Sequence, residues 1–178
     1  MKIDSHRIKP EEFKEWNEKM VEKYDPDAFH HHPNPLIRFI EAQRVRAILR
    51  LLDLKPGDRL LEVGCGAGNV LESTPPSERF GVDLSTFILQ KAKQRLRETA
   101  HLFQGDAQSL PLKSGVFKQV ICSEVLEHLL DPSAALQEMG RILNDLESIE
   151  NPFTCPHGRP VIIKLTQYEL EKMFKRKL

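Results

Sequence analysis

One stretch, Leu60-Leu61-Glu62-Val63-Gly64-Cys65-Gly66-Ala67-Gly68-Asn69, constrains this chain more than any other. The largely apolar run from Leu60 to Val63 suits a buried strand of a parallel sheet. It breaks at once into three glycines spaced by two. Glycine permits positive φ there, and the missing Cβ lets a ligand approach the backbone. The next residues, from Asn69, open a short helix whose first N–H groups face that ligand. A second short apolar strand, Phe80-Gly81-Val82, ends in Asp83, with Leu84 and Ser85 after it. An acid about 20 residues beyond a glycine turn is placed to accept hydrogen bonds from ribose hydroxyls.

The glycine spacing separates two kinds of nucleotide site. Dinucleotide folds use G-x-G-x-x-G, whose third glycine supports helix packing beside a pyrophosphate. Here the order is Glu-x-Gly-x-Gly-x-Gly, with Glu62 two residues before the first glycine. An acid so placed repels a pyrophosphate and suits the cationic end of a ligand. The pattern resembles motif I of the class I S-adenosylmethionine-dependent methyltransferases, whose ligand carries a sulfonium, an ammonium and a ribose. The resemblance continues in Gly105-Asp106-Ala107, that family's adenine-contacting turn. It continues again in Val120-Ile121-Cys122-Ser123-Glu124-Val125-Leu126-Glu127-His128-Leu129, its fourth strand and exit, and covers about residues 36–142. By this resemblance Glu62 and the backbone of Gly64, Cys65 and Gly66 hold the methionine portion of S-adenosyl-L-methionine. Asp83, with Leu84 beside it, holds the ribose. Asp106 and Ala107 meet the adenine edge, and Ser123 and Glu124 face the methyl donor. Cys65 reads as a spacer rather than a nucleophile, because nothing marks it as a thiolate.

Strands alternating with helices imply an α/β fold with a doubly wound parallel sheet and ligands at the strands' carboxyl ends. The predicted helices are Asn69 to Ser73, Thr86 to Glu98 with Ser85 as N-cap, and one opened by Asp131-Pro132-Ser133 and running to about Leu143. His101 to Gln104 and Lys118 to Ser123 complete the strands. On the helix from Thr86, Phe87, Leu89, Ala92 and Leu96 are apolar positions, while Lys91, Lys93, Arg95 and Arg97 read as a solvated face. With 178 residues the chain suits one domain with a sizeable core. Its 26 acidic and 26 basic residues balance, so the total gives no footprint for nucleic acid. No apolar run is long enough to span a membrane, and Met1 to His6 has no signal-peptide core. Three scattered cysteines fit a reducing cytoplasm better than a disulfide framework.

Before the glycine turn, Pro10 to Tyr24 reads as a helix, with Pro10, Glu11 and Glu12 in favourable early positions. Phe13, Trp16 and Met20 share one face, which reads first as core packing and otherwise as a lid over the cofactor mouth. His30-His31-His32 lies between breakers and reads as solvated loop, although a histidine there could serve as general base. Pro35 to Leu52 is a second helix, with Ile37, Ile40, Val45, Ile48 and Leu52 as candidate core.

Two patterns bear on metals. In Glu124-x-x-Glu127-His128 the three side chains share a face if the stretch is helical, and carboxylate plus imidazole can bind a divalent ion. Residue 129 is leucine, no further ligand is evident, and no metal is assigned. The second pattern lies where the methyltransferase resemblance ends. From about Leu143 the chain resembles the C-terminal end of the mismatch-repair MutL family, on the run Cys155-Pro156-His157-Gly158-Arg159-Pro160. In that family the Cys and His contribute to a metal site, roles that would fall on Cys155 and His157. They are two ligands where a zinc site wants about four.

Three segments follow: a helical cap over 1–52, a cofactor-binding core over 53–142 and a MutL-like tail over 143–178. The tail stands where the family's last strands belong. It either leaves the sheet truncated or supplies a strand from Pro160 to Leu165 and a helix from Tyr168 to Arg176. The expected function is methyl transfer to a small-molecule acceptor. The alternatives are a cofactor-binding module without turnover and a mismatch-repair fragment. A sheet edge left open calls for a second copy or a partner to cover it.

Overall fold

The structure, a computed structural model, describes residues 8–143. The tail calls, Cys155 and His157 among them, lie outside those residues. The elements run α1 (Pro10–Tyr24), a 3-10 turn (Pro26–Phe29), α2 (Pro35–Leu51), β1 (Arg59–Val63), α3 (Asn69–Ser73), β2 (Glu78–Asp83), α4 (Thr86–Leu96), β3 (His101–Gln104), β4 (Gln119–Cys122), a 3-10 turn (Leu126–His128) and α5 (Pro132–Ile142). Among the described residues the four strands form one sheet in the order β3-β2-β1-β4. Every pairing is parallel, with Leu61 opposite Phe80 on one side and Val120 on the other.

β1 is central because its run can be buried on both faces. Leu61 and Val63 join Phe117, Ala135, Met139 and Ile142 beneath α5. Leu60 joins Val70, Leu71, Leu89, Leu96 and Ile121 beneath α3 and α4. Helices therefore cover both faces, as a doubly wound sheet requires. The helices start where capping chemistry permits. Asn34 accepts from Leu36 N at 2.9 Å ahead of Pro35, and Asp131 accepts from Ala134 N at 3.0 Å ahead of Pro132. Ser85 Oγ accepts from Ile88 N at 3.3 Å to open α4. At its other end α5 is tied back to the sheet, where Ile142 O accepts from Val116 N and Phe117 N.

α2 departs from its expected core. Val45, Ile48 and Leu52 pack against the Leu60 cluster, but Ile40 is 56% exposed, and Leu36, Phe39 and Leu51 are exposed with it. The helix lies on the sheet by one narrow stripe, and its periodicity continues onto a face that the described residues leave open.

The first two glycines of the turn do different work. Gly64 has φ +71°, and a Cβ there would lie 2.2 Å from Val125 Cγ2. Gly66 has φ +51°, and a Cβ there would meet nothing within 4 Å. The first is closed by packing and the second is open to the space above the sheet. Gly64→Ala should therefore destabilise the chain by about 2–5 kcal/mol, combining overpacking with left-handed strain. Urea unfolding measures this, and a midpoint equal to wild type would contradict it.

Candidate active site

The carboxyl ends of β1, β2 and β4 and the turn after β3 open into one cavity of about 450 Å³. That is within the range of small-molecule sites. α1 and the Pro26–Phe29 turn roof it with Phe13, Trp16, Met20, Tyr24 and Phe29. The aromatic stripe of α1 thus faces a cavity as well as a core, and of its three members only Phe13 is buried. All ten residues singled out for cofactor binding line this cavity: Glu62, Gly64, Cys65, Gly66, Asp83, Leu84, Asp106, Ala107, Ser123 and Glu124.

Glu62 is 4% exposed, and its Oε2 has no hydrogen-bond partner. Burial pushes its pKa up to about 8, against the pull of the Leu71 backbone and the Arg44 guanidinium. The Asp83 carboxylate beside it adds to the rise. Glu62 lines the cavity, and a buried acid with an idle oxygen is costly unless a cation or a donor meets it.

Asp83 fastens the glycine turn to the end of β2. Its Oδ2 accepts from Gly66 N at 2.9 Å and its Oδ1 from Ser85 N at 2.9 Å. Burial raises its pKa while those N–H groups oppose the rise. Each carboxylate oxygen has a second lone pair, so two bonds to the chain do not exhaust the group. Asp106 accepts from Gln108 N at 2.8 Å in a turn of its own, and Gln108 Nε2 donates to both of its oxygens.

Glu124 has φ +61°, a left-handed conformation that a residue with a side chain seldom adopts. It is exposed at the cavity mouth. Only Leu126–His128 is helical after it, as a single 3-10 turn. The condition for Glu124, Glu127 and His128 to share a helix face is therefore not met. Glu124 and His128 line the cavity and Glu127 does not. Among the described residues no group of three or more His, Cys, Asp and Glu is placed to hold a metal. Burial raises the Cys65 thiol well above its ordinary range and pushes Cys122 up to about 12, so both stay protonated.

Several residues that hold the site give no local sign in the sequence. Glu18 of α1 caps α4 from outside, accepting from Thr86 N at 3.0 Å and Phe87 N at 2.9 Å. Asp25 pairs with Lys91. Asp27 accepts from Asn69 Nδ2 at 2.8 Å and from Arg95 Nη2 at 3.1 Å, and Arg95 Nη1 donates to Ala67 O. Burial works against the charge on Asp27, but these bonds hold its carboxyl below the usual range. Lys91 and Arg95 are therefore not a solvated face, and the Arg95 side chain is 17% exposed. Their partners lie far upstream, beyond the reach of any helical spacing.

His30 also departs from the solvated-loop reading. Its side chain is 18% exposed, and Nε2 lies 3.7 Å from Glu41 Oε2. Glu41 is gripped by Arg44 through Nη2 at 2.6 Å and Nε at 3.1 Å, and Arg44 Nη1 donates to Ser123 Oγ at 3.1 Å. Burial lowers the pKa of His30, so its ring is neutral at pH 7.

The comparisons with known proteins agree with this geometry. The methyltransferase domain family matches residues 61–145. That match takes in a little under half of the chain. A Thermotoga maritima structure described as an S-adenosylmethionine-dependent methyltransferase, possible histamine N-methyltransferase, superposes with TM-score 0.58 at 26% identity, over 74% of this chain and 57% of that one. Haemonchus contortus phosphoethanolamine N-methyltransferase 2, solved with phosphomonomethylethanolamine and S-adenosylhomocysteine, superposes with TM-score 0.53 at 26% identity, over 57% of this chain and 26% of that one. A separate similarity is to the mismatch-repair protein MutL of Thermoanaerobacter pseudethanolicus, 60% identical over 40 residues. It takes in 22% of this chain and 6% of MutL. The chain thus spans a little over half of one solved methyltransferase and a small part of the other two proteins.

The polar clamp on the roof of the cavity can be tested directly. Arg95→Ala removes the guanidinium partner of Asp27, leaving Asn69, and the donor to Ala67 O, and should cost about 2–4 kcal/mol of global stability. Hydrogen exchange should show α1 losing protection before β1 and β2. Uniform loss across all elements would contradict a roof that is clamped separately.

Proposed function

We propose that this chain binds S-adenosyl-L-methionine in the cavity and transfers its methyl group to a small-molecule acceptor. The observation that carries the reading is the buried, unpartnered Oε2 of Glu62, beside a glycine whose missing Cβ leaves open space. That pair fits the cationic methionine end of such a ligand. In this reading Glu62 and the backbone of Gly64, Cys65 and Gly66 hold that end. Asp83 meets the ribose with its remaining lone pairs, and Leu84 follows it along the cavity wall. Asp106 and Ala107 take the adenine edge. Ser123 and Glu124, at the exit of β4, face the methyl group. When bound, the cofactor supplies an electrophilic methyl on a sulfonium, and the leaving group is a neutral thioether. The chain's own task is to align the acceptor with that methyl and to exclude water beneath α1. The acceptor is proposed to be small because α1 roofs a cavity of about 450 Å³. Both methyltransferase neighbours described above bear the names of enzymes acting on small amines.

The electrostatics set a pH dependence. Without ligand Glu62 holds a proton up to about pH 8. A cationic ligand favours the carboxylate, so binding below that pH expels a proton. Affinity should rise as pH climbs from about 6 to about 8 and then level, and Glu62→Gln should remove both the slope and the proton release. The sign for stability is opposite. The native chain keeps a proton that the unfolded chain loses near pH 4.5, so Glu62 weakens the unliganded fold progressively up to about pH 8. Calorimetry in two buffers of different ionisation enthalpy measures the proton. Uptake instead of release would overturn the Glu62 assignment.

Asp83→Ala should weaken cofactor binding by about 1–3 kcal/mol, the range for a lost charge-assisted hydrogen bond. Gly66→Ala should lower cofactor affinity while costing only about 1–2 kcal/mol of stability, because its Cβ intrudes on the ligand and not on the protein. Wild-type affinity in either variant, measured by titration with S-adenosylmethionine and its demethylated product, would contradict the assignment.

A further inference from the structure

A chain of polar groups runs from the cavity wall to the β4 exit, and three of its members, His30, Glu41 and Arg44, are not among the residues assigned to the cofactor. His30 faces Glu41, Arg44 grips Glu41, and Arg44 reaches Ser123. Through Glu41 and Arg44 this chain links His30, which lines the cavity, to Ser123 at the β4 exit. Glu41 sits 3.7 Å from Nε2, and Nδ1 has no hydrogen-bond partner among the described residues. The surrounding wall carries the aromatic rings of Trp16, Tyr24 and Phe29 and the carboxylate of Glu124. Rings and a carboxylate together attract an ammonium group. An anionic acceptor would meet Glu124 and find Arg44 already committed to Glu41 and Ser123.

Resting on the methyltransferase reading above, we infer that the acceptor is a small primary or secondary amine and that His30 removes its proton. Such an amine is protonated at neutral pH and has no lone pair with which to attack. The ammonium gives a proton to His30 Nδ1, with the Nε2–H side of the ring turned toward Glu41. The freed nitrogen lone pair forms the N–C bond to the methyl as the S–C bond breaks, and that bond's electron pair stays on sulfur. The proton then passes from His30 to solvent, so one amine and one sulfonium yield one methylated amine, one thioether and one proton. His30 is the catalytic residue, and Glu41 and Arg44 are positioning residues. The groups that face the His30 ring set its charge. Glu41 and Asp27 favour protonation, Arg44 and Arg95 oppose it, and burial is the largest influence and keeps the ring neutral. A neutral ring is the form a base requires.

The test uses the full chain with S-adenosylmethionine and three probe amines: ethanolamine, histamine and benzylamine. Wild type should methylate at least one, with a rate that levels above the His30 pKa. His30→Gln should lower that rate about 10²–10⁴-fold at pH 7 and regain it as pH approaches the amine's own pKa. Its affinity for S-adenosylhomocysteine should stay at the wild-type value, which separates loss of the base from loss of the cofactor site. Independently of the His30 variant, the His30 ring in wild type should titrate below 6.5 by NMR, and lower still in Glu41→Gln. Three results would overturn the inference: no probe amine methylated by a chain that binds cofactor, an unchanged rate and pH profile in His30→Gln, or a His30 ring that titrates above 7. Failure of wild type to bind cofactor would instead sink the reading on which the inference rests.

Discussion

The hydrogen bond from Gly66 N–H to Asp83 Oδ2 joins the two halves of this site. It spans the exits of β1 and β2, which pair in parallel along their whole length. Gly64 N and Cys65 N both donate to Val82 O, so the turn rests on β2 through three bonds. Those bonds hold Gly66 in a left-handed conformation with open space above its Cα. They also leave the remaining lone pairs of Asp83 facing the same cavity as the idle oxygen of Glu62. A buried carboxyl thus lies close to a half-buried one, and the Asp83 carboxylate adds to the rise that burial imposes on Glu62.

The roof answers a different constraint. A cavity between strand ends is open to water unless something covers it, and α1 does so with aromatic side chains. Around the one buried apolar residue of α1, Phe13, the cover is pinned by charged and polar contacts. Glu18 caps α4, Asp25 meets Lys91, and Asp27 meets Asn69 and Arg95. Since Arg95 also bonds Ala67 O within the glycine turn, roof and turn share one guanidinium. Beside it His30 lies against Glu41, which Arg44 joins to Ser123 at the exit of β4. Polar clamps of this kind fix geometry at modest cost in stability, which suits an element that must admit and release small molecules.

Most of the fold was legible in the sequence because its signals are local. Helix starts at Pro10, Asn69 and Thr86, and the strand His101–Gln104, follow from caps, prolines and apolar runs. The ten residues that line the cavity were legible because the glycine turn and the acids after β2, β3 and β4 have fixed places along such a sheet. What local pattern could not give were the long-range partners. Arg95 and Lys91 look solvated on their own helix, and only the fold reveals the aspartates opposite them. Ile40 fits the apolar period of α2 yet lies exposed, because periodicity marks a face and not what covers it. Glu124 could not be read as left-handed, and that conformation separates it from the short helix that follows.

The central claim is that four strand exits form one S-adenosylmethionine site. Titrating the isotopically labelled full chain with S-adenosylhomocysteine, while following its backbone amides by NMR, tests it most directly. The account predicts one saturable event that moves the amides of Gly64–Gly66, Asp83–Leu84, Asp106–Ala107 and Ser123–Glu124 together and leaves the outer face of α5 unmoved. Absence of any shift in the folded chain, or shifts confined to residues outside that set, would contradict it.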